Sequence, residues 1–527
     1  MTEEEKQGAE EEQPTEENPP AEEKIDEAPK EGTPKEETPE KEPSPEAAPA
    51  AKPSKERDKG ITEKREEDMP EWYQQVCLKA ELADFSPVKG FMIIRPNGYA
   101  IWQRIMDYFN IVLKEKKVEN AYFPLLIPES FFQREAQHAE GFAPELAWVS
   151  RKSEDAERLA IRPTSETIMY DAYSKWIRSW RDLPLRINQW CNVLRWEVSD
   201  VKLFLRSREF LWQEGHCVYA TEEECEKETK MIAEEYKRLA EDLLAVPTLT
   251  GLKSELETFP GALKTYTVET FTAEGKALQL GTSHNLGQGF AKSFNISFLD
   301  QNEKEALPWQ SSWGISTRMI GAAVMIHSDN KGLVLPPRVA QHKVVIVPIF
   351  MKGKDKDVLK KAREIKAKLK QFDALLDDRE EYSPGWKFND WEMKGIPIRL
   401  EFGPRDLQNN EAVLVRRDNG NKLTVPLNKV TSTIPKLLED IQNSLLKKAK
   451  EFLESSIVDV DSWSEFEKAI EDKKLARGAF CVKKECEEKI KEKTQATSRC
   501  ISSMEKKGKC VHCNNESSKV AYFGKAY

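Results

Sequence analysis

Aromatic and β-branched residues become frequent abruptly near Trp72, and from there to about Pro337 stretches of helical period alternate with stretches of period two. That alternation predicts one large α/β domain. Trp102, Ile105, Phe109 and Val112 recur at helical spacing and draw a single apolar stripe, which predicts a helix over residues 99–116, with a strand over 121–127 after it. A second helix is expected to start at Thr221, because Thr221 and Glu224 have the spacing of a capping box. Its apolar face holds Ile232, Tyr236, Leu239 and Leu243, and Pro247 is expected to end it.

From Lys343 the units shorten. An apolar run over 344–350 predicts a strand, a charged helix follows from about Asp355, and a further strand covers 396–402. Asn419-Gly420 between two strand-like runs, 412–417 and 422–426, predicts a hairpin, since this pair favours tight turns with positive φ. A lysine-rich helix over 437–452 then leads to a Cys-rich end. The middle part reads as a second α/β domain of about 100 residues, a usual size.

Length and charge refine this division. A chain of 527 residues exceeds one ordinary core, so two or three domains are expected. The net charge of −10 speaks at first against a nucleic-acid partner, but residues 1–60 hold 20 acidic and 9 basic side chains, leaving a nearly neutral remainder. A local basic surface is therefore compatible with the composition. The same 60 residues carry 10 prolines and no aromatic, too little apolar surface to offset the entropy of ordering them, so a disordered acidic tail is expected. It is too acidic for a transit peptide. An apolar secretory signal and a membrane-length apolar run are both missing, so the expected location is the cytoplasm, away from membranes.

Nine cysteines divide unevenly: Cys77, Cys191, Cys217 and Cys225 are scattered, while Cys481, Cys486, Cys500, Cys510 and Cys513 crowd together. Scattered thiols suit a reducing compartment, and the cluster suggests metal binding. Cys481-x4-Cys486 and Cys510-x2-Cys513 give four thiols in two close pairs, a set suited to tetrahedral Zn2+, with Cys500 and His512 as further thiol and imidazole groups nearby. The alternative is a set of reduced thiols in a small core.

The chain has no P-loop, no Gly-x-Gly-x-x-Gly after a strand and no His-Glu-x-x-His, so any nucleoside triphosphate must be held in another way. The informative stretch runs from Arg186 to His216. On a strand, Arg195 and Glu197 share one face, while Leu194, Trp196 and Val198 take the other. On a returning strand Arg206 and Phe210 share the face of Arg195. Two arginines and an aromatic ring around one space suit phosphates and a purine. They equally suit a buried salt-bridge network beneath an aromatic core.

Arg195-Trp196-Glu197, a short loop and then Arg206-x-x-x-Phe210 resembles motif 2 of class II aminoacyl-tRNA synthetases, and Gly314-Ile315-Ser316-Thr317-Arg318 before an apolar helix resembles motif 3. The helix and strand ending at Pro124 resemble motif 1, which in that class forms the dimer interface. Between and after these lie Arg162-Pro163-Thr164-Ser165-Glu166, the run from Phe204 to His216, Gly281-Thr282-Ser283-His284, Leu286-Gly287-Gln288 and Leu335-Pro336-Pro337-Arg338. Together they are similar to the prolyl-tRNA synthetase family, in its eukaryotic and archaeal type, over residues 66–527.

The resemblance implies an α/β (α+β) fold. After the tail, 1–65, come an antiparallel-sheet catalytic domain, 66–340, an anticodon-binding domain with a mixed sheet, 341–445, and a small zinc-binding-like α/β domain, 446–527. It also implies roles. Arg195 bridges the proline carboxylate and the α-phosphate of ATP, Arg206 and Arg318 hold the outer phosphates, and Phe210 stacks on adenine. Gln279, Thr282 and Ser316 touch the nucleotide. Thr164 and Glu166 bind the proline nitrogen, and Trp212, Phe259 and His284 line the pocket for ring and carboxylate. Glu197 and Glu209 are candidate ligands for the Mg2+ that accompanies ATP, and Arg195, Arg318 and Glu197 make up the expected catalytic set. Cys481, Cys486, Cys510 and Cys513 are the implied ligands of a structural Zn2+.

The expected partners are L-proline, ATP, tRNA(Pro) and a second copy of the chain, met through the catalytic domain. The acidic tail is where a multi-synthetase or other partner would attach. Arg399, Arg405, Arg416, Arg417 and Lys422 are candidates for RNA contact, each weighed against a solvated charged face. His216 reads as pocket lining or as a core group, and His138, His327 and His342 read as structural. The 107 positions between Phe210 and Arg318 leave no room for an inserted editing domain. A synthetase-like protein without catalysis is disfavoured because Thr164, Glu166, Arg195, Arg206, Phe210 and Arg318 are all present. A threonine enzyme is disfavoured because the metal ligands its catalytic site needs are not found, and a histidine enzyme because its strings between motifs 2 and 3 differ.

Overall fold

The computed structural model describes residues 60–136, 145–151, 153–351 and 355–527. His138 and all but the last few residues of the expected tail lie outside them. Residues 60–65 are described, and here the expected tail boundary shifts. Arg65 donates to the carbonyls of Met325 (2.7 Å) and Ser328 (3.3 Å) and lies over the Trp72 ring, so the packed chain begins before residue 66.

Among the described residues the main feature is an 11-stranded sheet. Its central strands Leu185–Leu194, Glu209–Tyr219, Trp309–Ser316, Lys276–Gly287, Lys264–Phe271 and Leu249–Leu252 lie side by side and antiparallel. Helices Pro96–Glu115, Glu222–Arg238 and Arg318–His327 cover one face. Strand alternation sorts the residues: Tyr219, Trp313, Ile315 and Leu278 join Phe109 and Tyr236 in this core. Trp212, Glu214, His216, Ser312 and Ser316 are left to the other face. Gly215 is needed where it is, since a Cβ there would sit 2.2 Å from the Trp313 indole.

The helix expected over 99–116 spans Pro96–Glu115, with proline in its first turn where no donor is lost. The strand expected over 121–127 is two fragments. Glu119–Asn120 pairs in parallel with Leu185–Leu194, and Leu126–Pro128 pairs with Leu159–Ile161. Pro124 between them has no N–H for a continuous ladder, and the Phe123 N–H turns to the Gln189 side chain (2.5 Å). The helix after Thr221 is capped by the Thr221 side chain, Glu224 N donating to its Oγ1 at 3.3 Å, but the expected capping box is not closed. The Glu224 carboxylate accepts the Thr221 hydroxyl, and a π-helical turn, Leu239–Leu243, ends the element ahead of Pro247.

The second sheet has five strands in the order Leu375–Leu376, Val344–Pro348, Ile398–Phe402, Glu411–Arg416, Lys422–Pro426. The first three are parallel and the rest antiparallel, a mixed sheet with its own core. The hairpin forms where expected, with Gly420 at φ 74. The long helix is Val430–Ser455, earlier than the pattern suggested, because Pro435 in its early turns reads in sequence as a break.

The Cys-rich end has its own small core and two helices, Trp463–Glu471 and Lys484–Thr494. Its strands nevertheless continue the first sheet. Ile501 of Thr497–Lys509 pairs with Leu252, and Lys525 and Ala526 pair with Lys276 and Ala277. Among the described residues no helix is long and apolar enough to cross a membrane.

Candidate active site

The open face of the large sheet floors a cavity of about 550 Å3. All but one of the residues expected around nucleotide and amino acid border it: Thr164, Glu166, Arg195, Glu197, Arg206, Phe210, Trp212, Phe259, Gln279, Thr282, His284, Ser316 and Arg318. Their local setting differs from the expected alternation. The strand ends at Leu194, and Arg195–Val198 is a turn, closed by Val198 N on the Arg195 carbonyl (3.4 Å). Arg206 likewise precedes its strand, which starts at Glu209. The two arginines reach the cavity from the hairpin's connecting loop, while Phe210 reaches it from the strand. Glu209 does not border the cavity. Its carboxylate accepts the Asn192 amide at 2.7 Å, so of the two expected cation ligands Glu197 alone is in position.

The nucleotide-like end is strongly cationic. The Arg195 guanidinium lies 5.3 Å from the Phe210 ring centroid and 5.8 Å from that of Trp212. Burial lowers its proton affinity, while the charges of Glu197, Glu166 and Glu214 act the other way. Arg318 opens the helix after the strand Trp309–Ser316. Its Nε donates to the Leu205 carbonyl at 3.0 Å and its Nη1 to that of Gln279 at 3.2 Å. Burial, then repulsion from Arg195 and from Arg206, brings its pKa down to about 10. Guanidinium groups that repel each other across a lined space are arranged for an anion. This favours the phosphate reading over a salt-bridge network, for among the described residues no ion pair within 4.0 Å joins Arg195, Arg206 or Arg318 to a carboxylate.

The other end is carboxylate-lined and aromatic. Glu166 is the first residue of helix Glu166–Trp176, where the helix dipole favours negative charge, and it accepts the Thr164 hydroxyl. Behind it Glu214 accepts from Ser165 Oγ (2.5 Å) and Gln189 Nε2 (3.0 Å) and meets His216 Nε2 at 3.0 Å. Tyr170 meets the other His216 nitrogen at 3.3 Å. Burial disfavours the imidazolium, yet Glu166 and Glu214 outweigh it and raise the His216 pKa. Both readings of His216 are met: it borders the cavity and is hydrogen-bonded in the interior. His284 differs. Burial, then His216, lowers its pKa to about 3, and it shares a 2.9 Å hydrogen bond with Thr265. Its ring lies 4.7 Å from that of Phe259.

Glu214 and Gln189 escaped the sequence reading. The period-two run Trp212, Glu214, His216 was the available signal for Glu214. Gln189 acts from the next strand, a neighbour revealed only by pairing.

The thiols of Cys481, Cys486, Cys510 and Cys513 lie within 4.8 Å of one another. Tetrahedral zinc bonds of about 2.3 Å set sulfurs about 3.8 Å apart, and Cys513 Sγ is 3.7 Å from Cys481 Sγ. The donor set fits zinc. Although burial opposes it, the Asn515 N–H and the neighbouring thiols bring Cys513 down to about 7. Cys500 and His512 are not in this group. Two candidates for RNA contact, Arg405 and Lys422, are exposed. Three are engaged within the protein: Arg399 with Glu401, Arg416 with Asp418, and buried Arg417 in a fork to Asp329 at 2.7 and 2.8 Å.

Antiparallel sheet, cationic cavity and mixed-sheet second core agree with the known families. Residues 148–327 match the class II tRNA synthetase core domain (G, H, P, S and T), and residues 343–437 match the anticodon binding domain. The chain is thus of the class II synthetase fold. Residues 463–527 match the C-terminal domain of prolyl-tRNA synthetase. A proline--tRNA ligase of Natranaerobius thermophilus is 49% identical over 468 residues, 88% of this chain and 97% of the relative. One from Cenarchaeum symbiosum is 47% identical over 473 residues, 89% of this chain and 99% of the relative. The crystal structure of prolyl-tRNA synthetase from Cryptosporidium parvum complexed with L-proline and AMP has a TM-score of 0.85 at 42% identity, covering 90% of this chain and 99% of that one. The chain belongs to the prolyl-tRNA synthetase family.

Proposed function

We propose that this chain activates L-proline with ATP, giving prolyl-adenylate and pyrophosphate, and then transfers the prolyl group to the 3' end of tRNA(Pro). The carrying observation is the single cavity in which Arg195, Arg206, Arg318 and Phe210 stand at one end and Thr164, Glu166, Trp212 and His284 at the other. Proline is a secondary ammonium on a rigid apolar ring. Glu166 and Thr164 answer the ammonium, and Trp212 and Phe259 wall the ring. The proline carboxylate attacks the α-phosphorus in line, and the bond to the β-phosphate oxygen breaks to release pyrophosphate. No protein nucleophile is needed, so the protein's share is positioning and charge stabilisation. Arg195, whose guanidinium lies near both the Phe210 and the Trp212 ring, serves where charge develops. Gln279, Thr282 and Ser316 hold the nucleotide. Mg2+ enters with ATP as part of the substrate, with Glu197 at hand.

Proline-dependent ATP/pyrophosphate exchange tests the reading. The parent chain is expected to exchange, and Arg195→Ala to lose about 100- to 1000-fold in kcat, the usual cost of deleting a transition-state donor. A parent chain without proline-dependent exchange would overturn it.

Finer points extend the reading. The eukaryotic and archaeal type is our assignment from the family strings and the four-thiol set. Cys481, Cys486, Cys510 and Cys513 would hold a structural Zn2+ that ties the loop and helix start at 481–486 to the turn at 510–513. Exposed Tyr122, Leu125 and Trp176 on the motif 1 side support a homodimer through the catalytic domain. The cytoplasm and partner docking through the acidic tail remain our assignments from composition. The domain limits at 340 and 445, with the tail ending ahead of Arg65, belong to the same proposal.

A further inference from the structure

Buried charges that this chemistry does not use gather where the C-terminal strands join the catalytic sheet. Glu269, 1% exposed, stands opposite Gln279 in the antiparallel pair Lys264–Phe271 and Lys276–Gly287. Directly opposed side chains share a sheet face. Gln279 borders the cavity, and its carbonyl receives Arg318. Glu269 is therefore on the cavity face, one strand away. Lys253 Nζ and Thr267 Oγ1 bond its Oε1 at 2.7 and 2.9 Å. Arg499 reaches both oxygens, Nη2 at 3.0 Å from each and Nε 3.3 Å from Oε2. Among the described residues Arg499 supplies the bonds to Oε2, and it comes from the C-terminal strand Thr497–Lys509. Arg318 senses both groups, Glu269 favouring its charged form and Arg499 disfavouring it.

We propose that Arg499 is a positioning residue for ATP: by covering Glu269 it keeps a buried carboxylate from drawing the Arg318 guanidinium away from the triphosphate. Without Arg499, Lys253 still holds Oε1, but Oε2 loses its hydrogen-bond donors, and a buried carboxylate oxygen left bare draws in another cation. Arg318, bonded to the carbonyl of the Gln279 that stands opposite Glu269, is the cavity cation on which Glu269 acts. The C-terminal module thus contributes to the activation site through one side chain that touches no substrate. This inference rests on the function proposed above.

The test is proline-dependent ATP/pyrophosphate exchange with the full chain, reading both KM values. Arg499→Met is expected to raise KM for ATP about tenfold or more and KM for proline by less than about twofold. Glu269→Gln alone is expected to leave KM for ATP unraised. Combined with Arg499→Met, it is expected to restore KM for ATP to within about threefold of the parent, the signature of a coupled pair. An unmoved KM for ATP in Arg499→Met, equal rises in both KM values, or no rescue in the double variant would overturn the proposal. Should Arg499→Met not fold, Glu269→Gln decides: a KM for ATP at or below the parent's supports the proposal, and a raised one overturns it. An inactive parent would remove the proposed function and this inference with it, a result distinct from an active parent with unmoved KM.

Discussion

Arg318 carries in its pKa of about 10 the signature of burial and of three like-charged neighbours, Arg195, Arg206 and Arg499. An anion entering the cavity relieves that repulsion, so the site's affinity for phosphates is built into its unliganded state. His284 gives a measurable counterpart. Its folded pKa, about 3, lies below the ordinary 6.5, so below pH 6.5 the unfolded chain takes up a proton that the folded chain refuses. The stability that this group contributes is present above pH 6.5 and is lost as pH falls towards 3. Denaturant unfolding is expected to show the parent losing up to about 1.4 kcal/mol more per pH unit below 6 than His284→Asn. Equal slopes would contradict the assignment. The sequence made the cavity residues legible because arginine, carboxylate and aromatic side chains stood in family strings. It misplaced Arg195 and Arg206 because an arginine on a turn and one on a strand leave the same local text. Glu214 and Arg499 were harder to see, since their partners lie on neighbouring strands and on a distant module.

At the scale of elements, the hairpin and helix signals with local causes were readable: the Thr221 cap and the Gly420 turn both form. Elements set by proline were less so, as the divided strand around Pro124 and the early start of Val430–Ser455 show. Spacing also picked the right four cysteines, which converge from a loop, a helix and a turn. If they hold zinc, a strong chelator is expected to lower the melting temperature and added Zn2+ to restore it. The effect corresponds to about 4 kcal/mol where free metal exceeds Kd a thousandfold. A melting curve indifferent to chelator would leave the thiols as a reduced core.

On the scale of the whole molecule, charged side chains join modules that were read as separate. Arg417, first considered for RNA, ties the second sheet's hairpin to Asp329 just after the Arg318 helix. Such pairings depend on tertiary neighbours, which is why basic residues on the hairpin could not be sorted from sequence. The span between Phe210 and Arg318 is taken up by catalytic-sheet strands and their covering helices. An apolar pocket discriminates near-isosteres by only about 10- to 200-fold. Alanine is accordingly expected to be charged onto tRNA(Pro) at a low rate and not cleared in cis. Rapid hydrolysis of alanyl-tRNA(Pro) by the purified chain would contradict that.

The strands at 497–509 and 516–526 complete a sheet whose central members begin at 185. During translation the catalytic floor thus waits for residues synthesised more than three hundred positions later. A ribosome-bound fragment that already contains every cavity-lining group would still lack Arg499 and the strands that extend the sheet past Leu252, so termination ahead of them should leave Glu269 uncovered.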